Sequence, residues 1–175
     1  KQLLISTHSV YNRILFTNRS YPTPNEPSNF VMVLRKYLEG SIVEKIQQAE
    51  LDRWMVFDIR HHNEIGDLKY LKLYVELMGK YANVILVNSQ NRIIDAMKRI
   101  PPFENSRRTI QAGAEFSETP SQDKKNPFIE QNVDMNVSLT KQFSGFSPFL
   151  AKEVEYRMSK GQSFHSIMKE ISNSK

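Results

Sequence analysis

The stretch from residue 41 to residue 100 constrains the fold more than any other part of the chain, because its apolar residues recur at every second position. This period is typical of β-strands that bury one face. The connectors are short and contain turn-forming residues, so no crossover helix fits between successive strands. We therefore predict an α+β fold built on an antiparallel β-sandwich or meander. Its strands are expected near residues 41–49, 53–61, 68–79, 83–88 and 92–100.

The strand predicted at 68–79 has two unlike faces. Alternate positions on one face are aliphatic, and we expect this face in the core. These positions are Leu71, Leu73, Val75 and Leu77. The opposite face is aromatic and charged, which is unusual for a core, so we expect it at the surface. Its members are Tyr70, Lys72, Tyr74, Glu76, Met78 and Lys80.

Two strands and one helix are predicted before this region. The strands are expected at 3–6 and 10–17, followed by a proline-rich connector. Ser28 has the character of an N-cap, apolar residues follow it at helical spacing, and Gly40 ends the helix. Arg35 and Lys36 lie on the polar side of this helix.

The last third of the chain is predicted to be helical after a polar loop. Ser147 and Pro148 provide the N-cap and first position of a helix, and shorter helices are expected at 137–143 and 164–171. A turn with Gly145 joins the helix predicted at 137–143 to the helix that begins at Pro148. It predicts a helix-hairpin-helix-like module, whose backbone N–H groups can contact phosphate. The predicted organisation is a β-rich domain at 1–110, a linker at 111–136 and a helical region at 137–175. The first residue is Lys, so we expect natural residues to precede it.

Composition narrows the possible functions. The chain has no cysteine, which excludes disulfides, thiol nucleophiles and cysteine-based metal sites. No glycine-rich phosphate loop or hydrolase motif occurs, so we expect neither catalysis nor a cofactor. The net charge of +5 favours an anionic partner such as nucleic acid. No segment is apolar enough to span a membrane, and no signal segment is apparent.

Two short motifs each allow two interpretations. His61, His62 and Glu64 could share a metal only if the backbone turns there; otherwise they form a solvated strand end. We expect no metal. Asp52 and Arg53 are either a charged pair at a strand entrance or a carboxylate and guanidinium that recognise unpaired bases.

Several stretches in order along the chain resemble signatures of the NFACT family of RqcH- and NEMF-like proteins. They cover most of residues 1–160, so the chain is similar to the N-terminal domain of this family, NFACT-N. Some members are also labelled fibronectin-binding proteins. The stretches are residues 29–40, 51–53, 63–67, 76–87, 106–110 and 145–150.

The resemblance implies a fold and a function. The fold is similar to the N-terminal β-sandwich of formamidopyrimidine-DNA glycosylases joined to a helix-hairpin-helix module. The implied partners are alanyl-tRNA and a large ribosomal subunit that is obstructed by peptidyl-tRNA. With them the full protein directs untemplated alanine tailing of stalled chains in the cytoplasm. The alternatives are a surface adhesin that binds fibronectin or fibrinogen, and a glycosylase-like DNA-binding enzyme.

The resemblance also implies site residues. The pair Asp52 and Arg53 matches the family's hallmark. A second stretch, predicted to face tRNA, comprises Glu76, Met78, Gly79 and Lys80; many relatives have Arg at the position of Lys80, and Lys lacks that planar fork. Possible contacts to RNA backbone, expected from charge, are Arg35, Lys36, Arg107 and Arg108.

Overall fold

The structure is a computed structural model that divides into two compact units. The first comprises residues 1–49 and 53–118, and the second comprises residues 50–52 and 119–175. We describe each unit by itself. The residues that the structure describes are 2–63, 65–104, 108–120, 122–130 and 132–174.

Within its described residues, the first unit contains a hairpin, one α-helix and a five-stranded antiparallel sheet whose strands follow chain order. This is the meander that the period-two pattern predicts, and the α+β class is confirmed. The hairpin strands are β1 (Gln2–Ser6) and β2 (Arg13–Thr17), and the helix is α1 (Asn29–Leu38). The sheet strands are β3 (Ile42–Gln48), β4 (Trp54–His62), β5 (Leu68–Glu76), β6 (Asn83–Asn88) and β7 (Ile93–Ala96).

The ends of α1 agree with the sequence. The Ser28 hydroxyl accepts a hydrogen bond from the Val31 N–H, which satisfies one donor of the first turn. Gly40 follows the helix with φ of +73°, a conformation that favours glycine.

The aliphatic face of β5 is in the core, as predicted. Leu71, Leu73 and Val75 are buried there together with Phe30 of α1. Partly buried residues of the β1–β2 hairpin pack against the same cluster, so the hairpin and α1 cover this face. β4 and β5 pair over their whole length without a shift of register.

The opposite face of β5 differs from the prediction. Tyr74 and Glu76 are buried, whereas Tyr70 at the other end of the strand is exposed. The reason is a second core on this face, to which Phe116 contributes: its ring centroid lies 4.2 Å from that of Tyr74. Residues 108–118 cover the face, so part of the stretch predicted as a linker belongs to the first unit.

The described part of the second unit has three helices around its own core. They are α2 (Leu139–Gln142), α3 (Pro148–Ser159) and α4 (Phe164–Asn173). Ser147 caps α3 by accepting from the Leu150 N–H, as its position before Pro148 predicts. The core is apolar and includes Phe143, Val154 and Ile167, all fully buried. Whether this arrangement is a helix-hairpin-helix module, and whether the first unit is a glycosylase-type domain, stay predictions.

Neither unit has, within its described residues, a helix that is long and apolar enough to cross a membrane.

Candidate nucleic-acid interface

Most of the predicted tRNA-facing residues lie at one end of the five-stranded sheet. Trp54 pairs with Glu76 and Glu76 pairs with Asn83, so β4 begins, β5 ends and β6 begins at this end. The Leu77 N–H donates to the Arg53 carbonyl at 2.7 Å, which joins the predicted residue Arg53 to the turn after β5. We call residues 7–13, 53, 77–82 and 97–99 the loop end.

The turn between β5 and β6 presents Lys80 to solvent. Gly79 begins a 3-10 turn with φ of +55°, and the Lys80 ammonium lies 5.0 Å from the centroid of the exposed Tyr81 ring. A Cβ at Gly79 would come within 3.7 Å of the Ser9 carbonyl oxygen, an ordinary contact, so backbone conformation rather than space explains the glycine. Met78 is half-buried before this turn.

Asn83 fixes the neighbouring loop. Its side chain is buried and accepts from the Lys98 N–H at 2.9 Å while donating to the Lys98 carbonyl at 2.8 Å. The Lys98 ammonium in turn donates to the Thr7 carbonyl at 2.7 Å. The prediction from sequence missed Asn83 and Lys98 as positioning residues, because their partners are distant along the chain.

Glu76 is engaged inside the unit. Both of its oxygens accept from the Arg108 guanidinium, at 2.6 and 2.8 Å, and the side chains are 3% and 12% exposed. Arg108 also donates to the Ser117 carbonyl and lies 5.3 Å from the Phe116 ring centroid. The ion pair therefore holds residues 108–117 against the sheet, which is a structural task. That either residue contacts RNA stays a prediction.

The same covered face perturbs Tyr74. Burial, with the Glu118 and Asp58 carboxylates nearby, raises the pKa of Tyr74 to about 12. The phenol therefore stays neutral across the physiological range and acts as a core residue. Our expectation that Tyr74 lies at the surface is wrong.

Asp52 and Arg53 fall in different units. Asp52 is half-buried in the second unit, and Arg53 is exposed in the first. Their role in binding tRNA stays a prediction from the family resemblance.

The remaining predicted cations are not part of the loop end. Arg35 and Lys36 lie in the last turn of α1, where they line an open pocket with residues near the far end of β4. That end is separated from Arg53 by the nine residues of the strand, about 30 Å at the usual rise per residue. Arg107 lies outside the described residues.

Only one of the two histidines at the far end of β4 is exposed to solvent, as predicted for both. His61 is buried and its Nδ1 forms a hydrogen bond of 2.9 Å with the Ser41 hydroxyl, whereas His62 is exposed. Among the residues that the structure describes, no group of three His, Asp or Glu side chains could hold a metal ion.

The electrostatics of the loop end favour an anion. Its residues include five cations and no carboxylate. Arg99 is neutralised by Asp95, with bonds of 3.0 and 3.1 Å, which leaves Arg13, Arg53 and Lys80 exposed and Lys98 half-buried. Burial by itself raises the pKa of Asp95, but the Arg99 guanidinium and the Ala96 N–H outweigh it, so the pKa is lowered.

Cations without carboxylates beside exposed aromatic rings are typical of a nucleic-acid-binding domain. Comparison with known proteins gives the family. A profile described as the NFACT N-terminal and middle domains matches residues 1–174, and the chain belongs to the NFACT family.

Similar proteins carry two kinds of name. The Rqc2 homolog RqcH of Bacillus subtilis (strain 168) is 41% identical over 169 residues, 90% of this chain and 30% of that protein. The fibrinogen binding protein from Staphylococcus aureus has a similar structure (TM-score 0.79, 33% identity, 97% of this chain and 65% of that one). The N-terminal part of the fibronectin/fibrinogen-binding protein from Streptococcus suis is also similar (TM-score 0.78, 35% identity, 87% and 61%). The chain thus spans about a third of its curated relative from Bacillus.

Proposed function

We propose that this chain is an RNA-binding part of a ribosome-associated quality-control protein. The observation that carries the proposal is the loop end, where three cations of the first unit, Arg13, Arg53 and Lys80, are exposed to solvent. Membership in the NFACT family, with relatives named RqcH, supports the quality-control context.

The proposed contacts divide by chemistry. Arg53 has a planar guanidinium that can pair with phosphate or stack on a base, and Lys80 provides a mobile positive charge. Met78 and Gly79 shape the turn that presents Lys80. The family resemblance adds the Asp52 carboxylate as an acceptor for base amino or imino groups.

The whole protein is proposed to bind large ribosomal subunits that hold peptidyl-tRNA, and to recruit alanyl-tRNA for alanine tailing of the stalled chain. The peptide bond would form in the ribosomal centre, so the proposal gives this chain no catalytic step. It is then a cytoplasmic, ribosome-associated protein.

The test is the salt dependence of tRNA binding by the 175-residue chain. Three phosphate contacts predict that affinity falls by about 20-fold between about 50 and 200 mM salt. Replacing Arg53 and Lys80 together with Ala should weaken binding and make the salt dependence shallower. Lys45→Ala, which removes an exposed cation of β3, is the matched control and should change neither strongly. The proposal fails if the double variant binds tRNA like the control.

The alternative is binding to a host matrix protein, which the names of the structurally similar proteins suggest. Binding of fibronectin along an exposed strand edge should depend on salt much less than binding of tRNA. A parallel measurement with fibronectin separates the two: strong fibronectin binding with no measurable tRNA binding would favour the adhesin.

A further inference from the structure

We infer that the loop end also binds unpaired nucleobases, by stacking them on the exposed rings of Tyr11 and Tyr81. This inference rests on the proposed RNA-binding function and adds the nucleotide chemistry and the residues. Tyr11 is 66% exposed and Tyr81 is 60% exposed. Exposed aromatic rings beside cations are the usual platform for single-stranded RNA, and both rings lie in the loop end with Arg13 and Lys80.

Tyr11 is held in place by its own loop. The Nδ1 atom of His8 accepts from the backbone N–H groups of Val10 and Tyr11, each at 3.1 Å, and the His8 and Tyr11 rings stack with centroids 5.1 Å apart. Two backbone N–H groups thus donate to the same ring nitrogen. His8 is therefore a positioning residue, which fixes both the backbone and the ring plane of Tyr11.

Tyr81 is held on the neighbouring turn with a cation beside it. The Lys80 ammonium lies 5.0 Å from its ring centroid. If a base stacked on the free side of the ring, this ammonium could pair with the phosphate of the same or the next nucleotide. The two loops also approach one another: the place of a Cβ on Gly79 is 3.7 Å from the Ser9 carbonyl oxygen.

A third loop ties this arrangement to the core. The Lys98 ammonium donates to the Thr7 carbonyl, and the Thr7 hydroxyl lies 3.3 Å from the Met97 sulfur. Since Lys98 is itself bound by the buried Asn83, the loop that bears Tyr11 is connected to β6. The rings are thus presented by loops that need not order when RNA binds, which lowers the entropic cost of binding.

Stacking requires bases that are not paired, and this distinguishes it from contact with phosphate. The experiment measures fluorescence anisotropy of the 175-residue chain with two probes of equal length, oligouridylate and a blunt RNA duplex. Tyr11→Ala and Tyr81→Ala should each weaken oligouridylate binding by about 5-fold to 150-fold, the usual range for one stacked base. Duplex binding should change less than 2-fold, roughly the error of such an assay, because its bases are not available.

Conservative variants test the geometry. Tyr11→Phe keeps the ring and should bind oligouridylate like the parent. His8→Ala should weaken binding, whereas His8→Asn offers a side-chain acceptor to the same two N–H groups and should recover much of it. Phe16→Ala removes a ring of β2 that is 74% exposed outside the loop end, and it should leave both probes unaffected.

The outcomes separate the inference from the proposed function. If Arg53→Ala with Lys80→Ala weakens both probes while Tyr11→Ala and Tyr81→Ala leave oligouridylate binding unchanged, the loop end binds phosphate only and the stacking inference is overturned. If the tyrosine variants weaken both probes equally, the rings act without regard to pairing and the inference is also overturned. If neither probe binds the parent chain, the RNA-binding function itself fails.

Discussion

The Glu76–Arg108 ion pair provides the sharpest test of how this fold is held together. Truncating Glu76 to Ala leaves the Arg108 guanidinium, whose side chain is only 12% exposed, without its carboxylate. Removing one partner of a buried pair usually costs about 3–5 kcal/mol. Arg108 retains the Ser117 carbonyl and the Phe116 ring, so we expect the lower end, about 3 kcal/mol in the free energy of unfolding.

Trp54 makes the measurement direct. It is the single tryptophan of the chain, it pairs with Glu76 across the strands, and its ring lies 5.9 Å from that of Tyr74. Its fluorescence during urea unfolding therefore reports on the first unit. The matched double variant, Glu76→Leu with Arg108→Met, replaces the pair by apolar side chains and should cost less than Glu76→Ala alone.

A Glu76→Ala chain that unfolds within about 1 kcal/mol of the parent, the range of a surface ion pair, would refute the structural interpretation. If that variant had also lost tRNA binding, the carboxylate would be a recognition group, as the family resemblance implies.

Three further predictions use the same unfolding assay. Tyr74→Ala should destabilise the chain by about 3–5 kcal/mol and Val75→Ala by about 1–4 kcal/mol, because both side chains are buried and each truncation leaves a cavity. A change below about 0.5 kcal/mol in either variant would contradict the placement of β5 between two cores. Asp95→Asn should lower the free energy of unfolding at neutral pH. Because the pKa of Asp95 is lowered in the folded protein, the carboxylate stabilises the fold above the ordinary value of 3.8, and this stabilisation is lost as the pH falls below it. The difference in stability between the variant and the parent should therefore shrink in acid. Replacing Asp52 and Arg53 together with Ala should cost at most about 1 kcal/mol. In the full-length protein the same change should abolish alanine tailing while ribosomal subunit binding persists; unaltered tailing would contradict the assignment.

Local patterns made most of the secondary structure predictable. A period of two fixes which side chains share a face, and it placed all five sheet strands within a few residues of their observed ends. Serine caps before α1 and α3 act on backbone groups three residues away, so Ser28 and Ser147 could be identified without knowledge of the tertiary structure.

The burial of the second face of β5 could not be predicted in the same way. Alternation shows that Tyr74 and Glu76 share a face, but it does not show what covers that face. The cover is residues 108–118, more than thirty positions further along, in a polar stretch without periodicity. The cost of burying the Glu76 carboxylate is offset by the ion pair with Arg108. The sequence near Glu76 does not show that this partner exists.

The candidate site shows the same limit in its charges. Counting the sequence of the loop end gives five cations, but the structure divides them, because Arg99 is neutralised by Asp95 and Lys98 is half-buried against the Thr7 carbonyl. The three exposed cations outside the Arg99–Asp95 ion pair predict a slope of log affinity against log salt of about −2, whereas five cations would give about −3.5. The slope therefore measures which cations the fold leaves available. A value near −3.5 that Arg99→Ala reduces would mean that RNA takes Arg99 away from Asp95, and that the ion pair is a contact that binding must break.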